Sequence, residues 1–378
     1  MSIYTELGLS KVINANGKMT SLGGSTLDGR ITDYMNEAAS EFVEMDEFID
    51  KAGEIIANYI GAQDVCLTIG AAAGIAISVA AVVTEGDLEK IQQLPLLEDE
   101  KKNIIIQKGH AINFGAPVTQ MIRIGGGNPV EVGQANKVEI FNIVNNIDEN
   151  TKGLLYVKSH HCVQKGMVSL EDMLDIGKKY NIPVIVDAAA EEDLEKYLKM
   201  GADLIIYSGG KALSGPTSGF IAGRKDLIKA CKLQYKGIGR VMKLSKESVA
   251  GLLKAIEIYY EEPKDKKLSI QKQKLDWLMK EINKIDGLKS SIEKDEAGRA
   301  IYRLKIIIDK EKFGMDTNSV IKYIESGSTK IFTRNHYANI GIIYIDPRPL
   351  REKDEREILN KFLEISKFKN RKEGLNEK

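Results

Sequence analysis

Pro183-Val-Ile-Val-Asp187, followed by Asp203-Leu-Ile-Ile-Tyr207 running into Ser208-Gly-Gly-Lys211, is the stretch that decides the fold. Each apolar run is short, rich in β-branched residues and closed by a polar or glycine-rich turn, the pattern of a strand buried on both faces of a sheet. The same pattern recurs on either side. Runs at 65–69, 103–107, 129–132, 154–158 and 218–222 read as further strands, with helical periodicity between them, as over 169–180. Strands alternating with helices specify an α/β domain on a mostly parallel sheet, where ligands bind beyond the carboxyl ends of the strands. Asp187 and the Ser208-Gly-Gly-Lys211 turn stand at two such ends.

An acid at one strand end and an amine at the next suggest a chemistry. A pyridoxal-phosphate enzyme needs a carboxylate that keeps the cofactor's pyridine nitrogen protonated and a lysine that bonds its aldehyde carbon. Asp187 and Lys211 are the candidates. Taken singly, Asp187 reads more readily as a buried helix cap and Lys211 as a surface residue on a glycine turn, so the joint pattern carries the reading. Ser208 offers a hydroxyl to a phosphate oxygen three residues before the lysine, and Gly209 and Gly210 let the backbone approach closely.

Thr68-Ile-Gly-Ala-Ala-Ala-Gly74 follows a strand and opens an alanine-rich helix, so the amides of Gly70, Ala71 and Ala72 suit a phosphate. Tight helix–sheet packing would use the same small residues. His110 follows the 103–107 run and is placed to stack on a flat ring. The loop Val157-Lys-Ser-His-His-Cys162 brings Ser159, His160 and His161 to the same crevice. Adjacent histidines point apart and no carboxylate stands beside them at ligand spacing, so no metal is expected. Gly125-Gly-Gly-Asn128 comes after a helix, the wrong context for a dinucleotide-binding loop, and reads as a helix-terminating turn.

Lysine plus arginine number 54 against 54 acidic residues, which leaves no net charge to favour nucleic acid or an anionic membrane. The three cysteines, Cys66, Cys162 and Cys231, are far apart and fit neither a disulfide framework nor a zinc site; a cytoplasmic setting suits them. Residues 1–19 lack the apolar core of a secretion signal, and the apolar run 71–83 is too short to span a bilayer and reads as a buried helix. After Pro263 the composition shifts to lysine- and glutamate-rich helix, then to strands at 300–308 and 340–345 and a last helix at 351–368, a smaller α+β domain with a frayed tail at 369–378.

In Val186-Asp-Ala-Ala-Ala-Glu-Glu-Asp193 and Tyr207-Ser-Gly-Gly-Lys-Ala-Leu-Ser-Gly-Pro-Thr-Ser-Gly219 the chain resembles the selenocysteine-synthase-related group of fold-type I pyridoxal-phosphate enzymes. Val12-Ile-Asn-Ala-Asn-Gly-Lys-Met-Thr-Ser-Leu-Gly-Gly-Ser25, Ser159-His-His-Cys-Val-Gln-Lys-Gly-Met167 and Gly237-Ile-Gly-Arg-Val-Met-Lys243 are similar to its ammonia-lyase branch, and the similarity runs from about Val12 to about Pro349. The resemblance implies an aspartate-aminotransferase-like large domain with a seven-stranded, mostly parallel sheet over 46–260. It further implies a small α+β domain over 261–378, a segment 1–45 packing at the dimer and active-site region, and a homo-oligomer built on dimers.

Pyridoxal phosphate is the implied cofactor, with Lys211 bonded to it, Asp187 on its ring nitrogen, His110 stacked on the ring, and Ser208 with the Gly70–Ala72 amides on its phosphate. Gly237 and Arg240 would approach from the neighbouring subunit, and Arg240, Lys243, Arg334 and Arg348 are the cations available for an anionic substrate. The implied reaction is α,β-elimination of D-glucosaminate 6-phosphate to 2-keto-3-deoxy-6-phosphogluconate and ammonia, with Lys211 carrying the Cα proton. The alternatives are a pyridoxal lyase or aldolase acting on another amino acid, and a transferase acting on aminoacyl-tRNA. The neutral composition speaks against the last.

Overall fold

The computed structural model describes residues 2–98, 101–159, 161–295 and 301–376; His160 and the expected strand start at Ala300 lie outside the described residues. The chain divides into two compact units, Leu27–Glu261 and the combination of Met1–Thr26 with Glu262–Lys378.

The Leu27–Glu261 unit holds the runs expected to be strands. Its seven-stranded sheet runs Asp64–Thr68, Gly219–Gly223, Leu204–Ser208, Val184–Asp187, Thr151–Val157, Asn103–Gln107, Asn128–Val132 across its width. All neighbours are parallel except Gly219–Gly223, which is antiparallel to both strands beside it. Apolar layers cover both faces, one including Ile105, Val186, Ile205 and Phe220, the other Ile104, Ile106, Ile185 and Ile206. Burial on both faces explains why these strands read as unbroken apolar runs and not as alternating ones.

The helix Ala71–Thr84 is apolar around its whole circumference and buried from Ala73 onward, as a helix packed on every side must be. Gly74 permits this packing, since a Cβ there would lie 2.6 Å from Ile206 Cγ2. The Gly125-Gly-Gly turn follows the helix Val118–Ile124 and leads into the strand Asn128–Val132, as the sequence context required.

In the second unit, Lys11–Ala15 pairs in parallel with Thr329–Thr333, and Leu288–Lys294, Tyr302–Ile308 and Ile342–Ile345 form an antiparallel sheet with Tyr302–Ile308 at its centre. The helices Lys264–Ile282 and Asp354–Asn376 contribute Leu275, Leu278, Ile358 and Phe362 to its core. The expected fray at 369–378 is corrected here. The last helix runs Asp354–Asn376, so helix replaces the expected fray as far as Asn376, and 377–378 lie outside the described residues.

Candidate active site

Three adjacent strands of the large sheet end at one edge and bring the chemistry-bearing residues together. Val157 is registered with Asp187, and Asp187 with Ile206, two residues before Ser208. Asp187 is buried at 7% exposure. Its Oδ1 accepts the Ala189 amide at 3.1 Å. Burial raises its carboxyl above the ordinary value, while the Lys211 ammonium and the Ala189 amide act in the opposite direction. The effect of Lys211 on this carboxyl means that the two charges share one environment.

Lys211 sits half-buried on a tight turn. Its amide donates to the Ser208 carbonyl at 3.3 Å, the Ser214 amide donates to the Lys211 carbonyl at 3.0 Å, and Gly215 closes back on the Gly209 carbonyl at 2.8 Å. Ser214 takes a left-handed φ of 55°, which few non-glycine residues adopt and which marks a constrained turn. Gly209 is required by close approach, since a Cβ there would meet Ser218 Oγ at 2.2 Å.

At the same edge of the sheet, where Thr68 and Ser208 both register with Gly219, Gly70 caps the helix Ala71–Thr84 with no side-chain cap. A Cβ on Gly70 would meet nothing within 4 Å, so there is open space beside Gly70, next to the first helical amides. Those amides have no acceptor within the helix, and the positive end of its dipole faces that space.

His110 is buried at 2% exposure, beside Tyr156 in an edge-on contact with ring centroids 4.6 Å apart. Its Nδ1 accepts the Val157 amide at 3.3 Å. Burial, reinforced by Lys158, lowers its imidazole to about 4. The ring is therefore neutral at physiological pH, with its proton on Nε2.

Cys162, with no role at the site expected from sequence, is buried in the same region; its thiol is pushed up to about 12 by burial and then by Asp187. Ser159 Oγ accepts the His161 amide at 3.2 Å, and His161 itself is exposed. Gly237 has a packing reason to be glycine, because a Cβ there would meet Ile91 Cγ2 at 2.5 Å. Arg240 and Lys243 are exposed. No group of three or more metal-binding side chains occurs among the described residues.

The second unit separates the two arginines that sequence alone left equivalent. Arg348 makes a paired contact with Asp346, Nε to Oδ1 at 2.9 Å and Nη2 to Oδ2 at 2.8 Å. Arg303, missed in the sequence, also binds Asp346 through Nε at 3.0 Å and Asp295 through Nη1 at 2.5 Å, and its Nη2 is buried without a partner. Burial alone would raise Asp346, but Arg348 and Arg303 hold it at about 2. Arg334 donates to the Asn16 carbonyl at 3.3 Å and forms no ion pair with a carboxylate among the described residues. Burial and then Arg303 lower it to about 10.

The architecture is that of the aspartate-aminotransferase-like, fold-type I class, and an aspartate aminotransferase from Thermotoga maritima superposes with a TM-score of 0.56 at 14% identity, covering 97% of this chain and 94% of that one. The chain belongs to the SelA family, described as L-seryl-tRNA selenium transferase, whose model matches residues 12–320. It is 42% identical over 97% of its length, and 98% of the relative's, to a D-glucosaminate-6-phosphate ammonia lyase from Salmonella typhimurium (strain 14028s / SGSC 2262). A solved structure of D-glucosaminate-6-phosphate ammonia-lyase matches with a TM-score of 0.91 at 42% identity, covering 97% of this chain and 99% of that one. A 5'-C-glycyluridine monooxygenase-decarboxylase from Streptomyces sp is 38% identical over 96% of this chain and 91% of its own. The L-seryl-tRNA(Sec) selenium transferase of Aquifex aeolicus (strain VF5) is 27% identical over 76% of this chain and 69% of its own.

Proposed function

We propose that the protein is a pyridoxal-phosphate-dependent ammonia-lyase that eliminates water and then ammonia from D-glucosaminate 6-phosphate, giving 2-keto-3-deoxy-6-phosphogluconate. The observation that carries this reading is the 42% identity, sustained over 97% of the chain, to a relative named for that activity. The residues fit the cofactor. A buried carboxylate and a lysine share one environment, a neutral histidine lies buried nearby, and an uncapped helix start faces open space.

Bound pyridoxal phosphate supplies an electron sink for the bond that breaks at the substrate's Cα. Asp187 holds a proton on the ring nitrogen, and its burial strengthens that interaction by excluding water. Lys211, held on the Ser208–Gly215 turn, takes the Cα proton and returns one later in the cycle. The first amides of the helix Ala71–Thr84, with Ser208, orient the cofactor phosphate. His110, neutral, would pack against the ring.

The substrate carries a carboxylate and a phosphate, both of which need cations. Arg334 is the better candidate for the carboxylate in its unit because Arg348 is already engaged on Asp346. Arg240 and Lys243 remain candidates for the substrate phosphate.

A homo-oligomer built on dimers agrees with the fully exposed Phe42 and with Leu96 and Val241, which are 85% and 80% exposed, since such side chains favour burial between subunits. The neutral composition gives no electrostatic support to a tRNA substrate.

The test is ammonia and keto-acid release from D-glucosaminate 6-phosphate, measured together with oxygen consumption and the visible absorbance of the purified protein. Lys211→Ala is expected to abolish both the absorbance band and turnover. Oxygen uptake without ammonia release would favour chemistry like that named for the 38% relative.

A further inference from the structure

The segment 188–195 follows Asp187 without regular secondary structure apart from turns and bends, yet three tyrosine hydroxyls from three different elements hold it. Tyr197, on the short helix Lys196–Lys199, donates to Glu191 Oε2 at 2.6 Å. Tyr207, on the strand Leu204–Ser208, donates to the Leu194 carbonyl at 3.1 Å. Tyr259, near the end of the helix Lys246–Glu261, donates to the Glu192 carbonyl. Tyr197 and Tyr207 are each only 1% exposed, so their hydroxyls have little water to turn to and stay on these acceptors.

The contacts fall on residues 191, 192 and 194, one after another along a chain that makes few ladder bonds of its own. Upstream, the Ala188 amide donates to the Ile206 carbonyl at 3.0 Å and the Glu191 amide to the Ala188 carbonyl at 3.0 Å. The Ala189 amide, which donates to Asp187 Oδ1, therefore sits between a sheet anchor and the tyrosine contacts.

We propose that Tyr197, Tyr207 and Tyr259 form a brace that positions the Ala189 amide against Asp187 and so fixes the carboxylate for the reaction. They are positioning residues, since none of them is placed at the reacting atoms. This deepens the proposed function and rests on it for its kinetic consequence, though the hold on the segment is a property of the fold alone. Without the brace, 188–195 relaxes, the Ala189 bond is made a smaller fraction of the time, and the carboxylate is less well fixed on the ring nitrogen. The effect belongs to the chemical step and not to substrate capture.

The test compares Tyr259→Phe and Tyr197→Phe with the wild-type holoenzyme; both keep the ring, so packing volume is preserved. Amide hydrogen exchange over 188–194 is expected to quicken about five-fold in each variant, the factor that follows from losing one ordinary hydrogen bond. In the same variants kcat should fall by a similar factor with KM unchanged, and the visible absorbance should shift. Tyr180→Phe is the control, because it ends the helix Leu170–Tyr180, is 36% exposed and takes no part in the hydrogen bonds to 188–195 described above; it should change none of these readouts. Unchanged exchange in both variants overturns the brace, and quickened exchange with an unchanged kcat overturns its positioning role. Should the wild type release no ammonia, the functional reading fails, while exchange and absorbance still decide the brace.

Discussion

Replacing Asp187 by Asn should make the cofactor-free protein more stable while it removes activity. In the folded chain this carboxyl titrates above its ordinary 3.8, because burial outweighs the opposing effects of the Lys211 ammonium and the Ala189 amide. A carboxyl with a raised folded-state pKa binds its proton more tightly folded than unfolded, so keeping it ionised at neutral pH works against folding. That cost is absent below about pH 3.8 and grows as pH rises from there to the folded-state value. Asparagine fills the same volume with no charge to desolvate. The gain should be roughly 1–3 kcal/mol, the range for a buried polar group relieved of its desolvation cost. Spread over a unit of this size it raises Tm by a few degrees, at about 2–4 °C per kcal/mol.

The assay is thermal unfolding of cofactor-free wild type and Asp187→Asn at neutral and mildly acidic pH, with the difference shrinking as pH falls. With cofactor and substrate, the same variant should lose about 10²–10³ in kcat, the usual effect of removing one aimed electrostatic group from a dry site. A cofactor-free Asp187→Asn protein no more stable than wild type at neutral pH would refute the account of this carboxyl. In that case Lys211 would have to compensate its burial in full.

Two further predictions concern other parts of the fold. Arg334→Met should raise KM for a carboxylate substrate at least tenfold with stability held or improved, whereas Arg348→Met should cost about 3 kcal/mol by leaving Asp346 short of a partner, read as a lower denaturation midpoint. Gly74→Ala should destabilise by about 1–3 kcal/mol because the new methyl meets Ile206 Cγ2 at 2.6 Å. Ile206→Val keeps that methyl and should give no relief in the double variant, while Ile206→Ala should recover part of the loss, both measured by chemical denaturation.

The central sheet was legible because burial on both faces writes strands as unbroken apolar runs, and because strand ends in such a sheet are where ligands collect. Asp187, Lys211 and the glycine turn could therefore be paired by position alone. What was not legible depended on contacts between residues distant in sequence. Lys11–Ala15 pairs with Thr329–Thr333 across the length of the chain, and no local pattern announces such a partner. The edge contact of Tyr156 on His110, the buried thiol of Cys162 and the partners of Arg303 are invisible for the same reason. Arg334 and Arg348 look equivalent in a sequence. Only the ion pairs show that one guanidinium is committed to Asp346 and the other is not.

The same distinction runs through the candidate site. Burial of Asp187 disfavours its charged form, and the Lys211 ammonium and the Ala189 amide oppose that effect, the amide belonging to a segment with little regular structure. A carboxylate placed at such a cost to folding is stabilised by whatever cation meets it, and the protonated ring nitrogen of pyridoxal phosphate, held as proposed, would be such a cation. Cofactor binding should therefore stabilise the Leu27–Glu261 unit by more than its phosphate contacts alone account for, because it would give the Asp187 carboxylate a cationic partner.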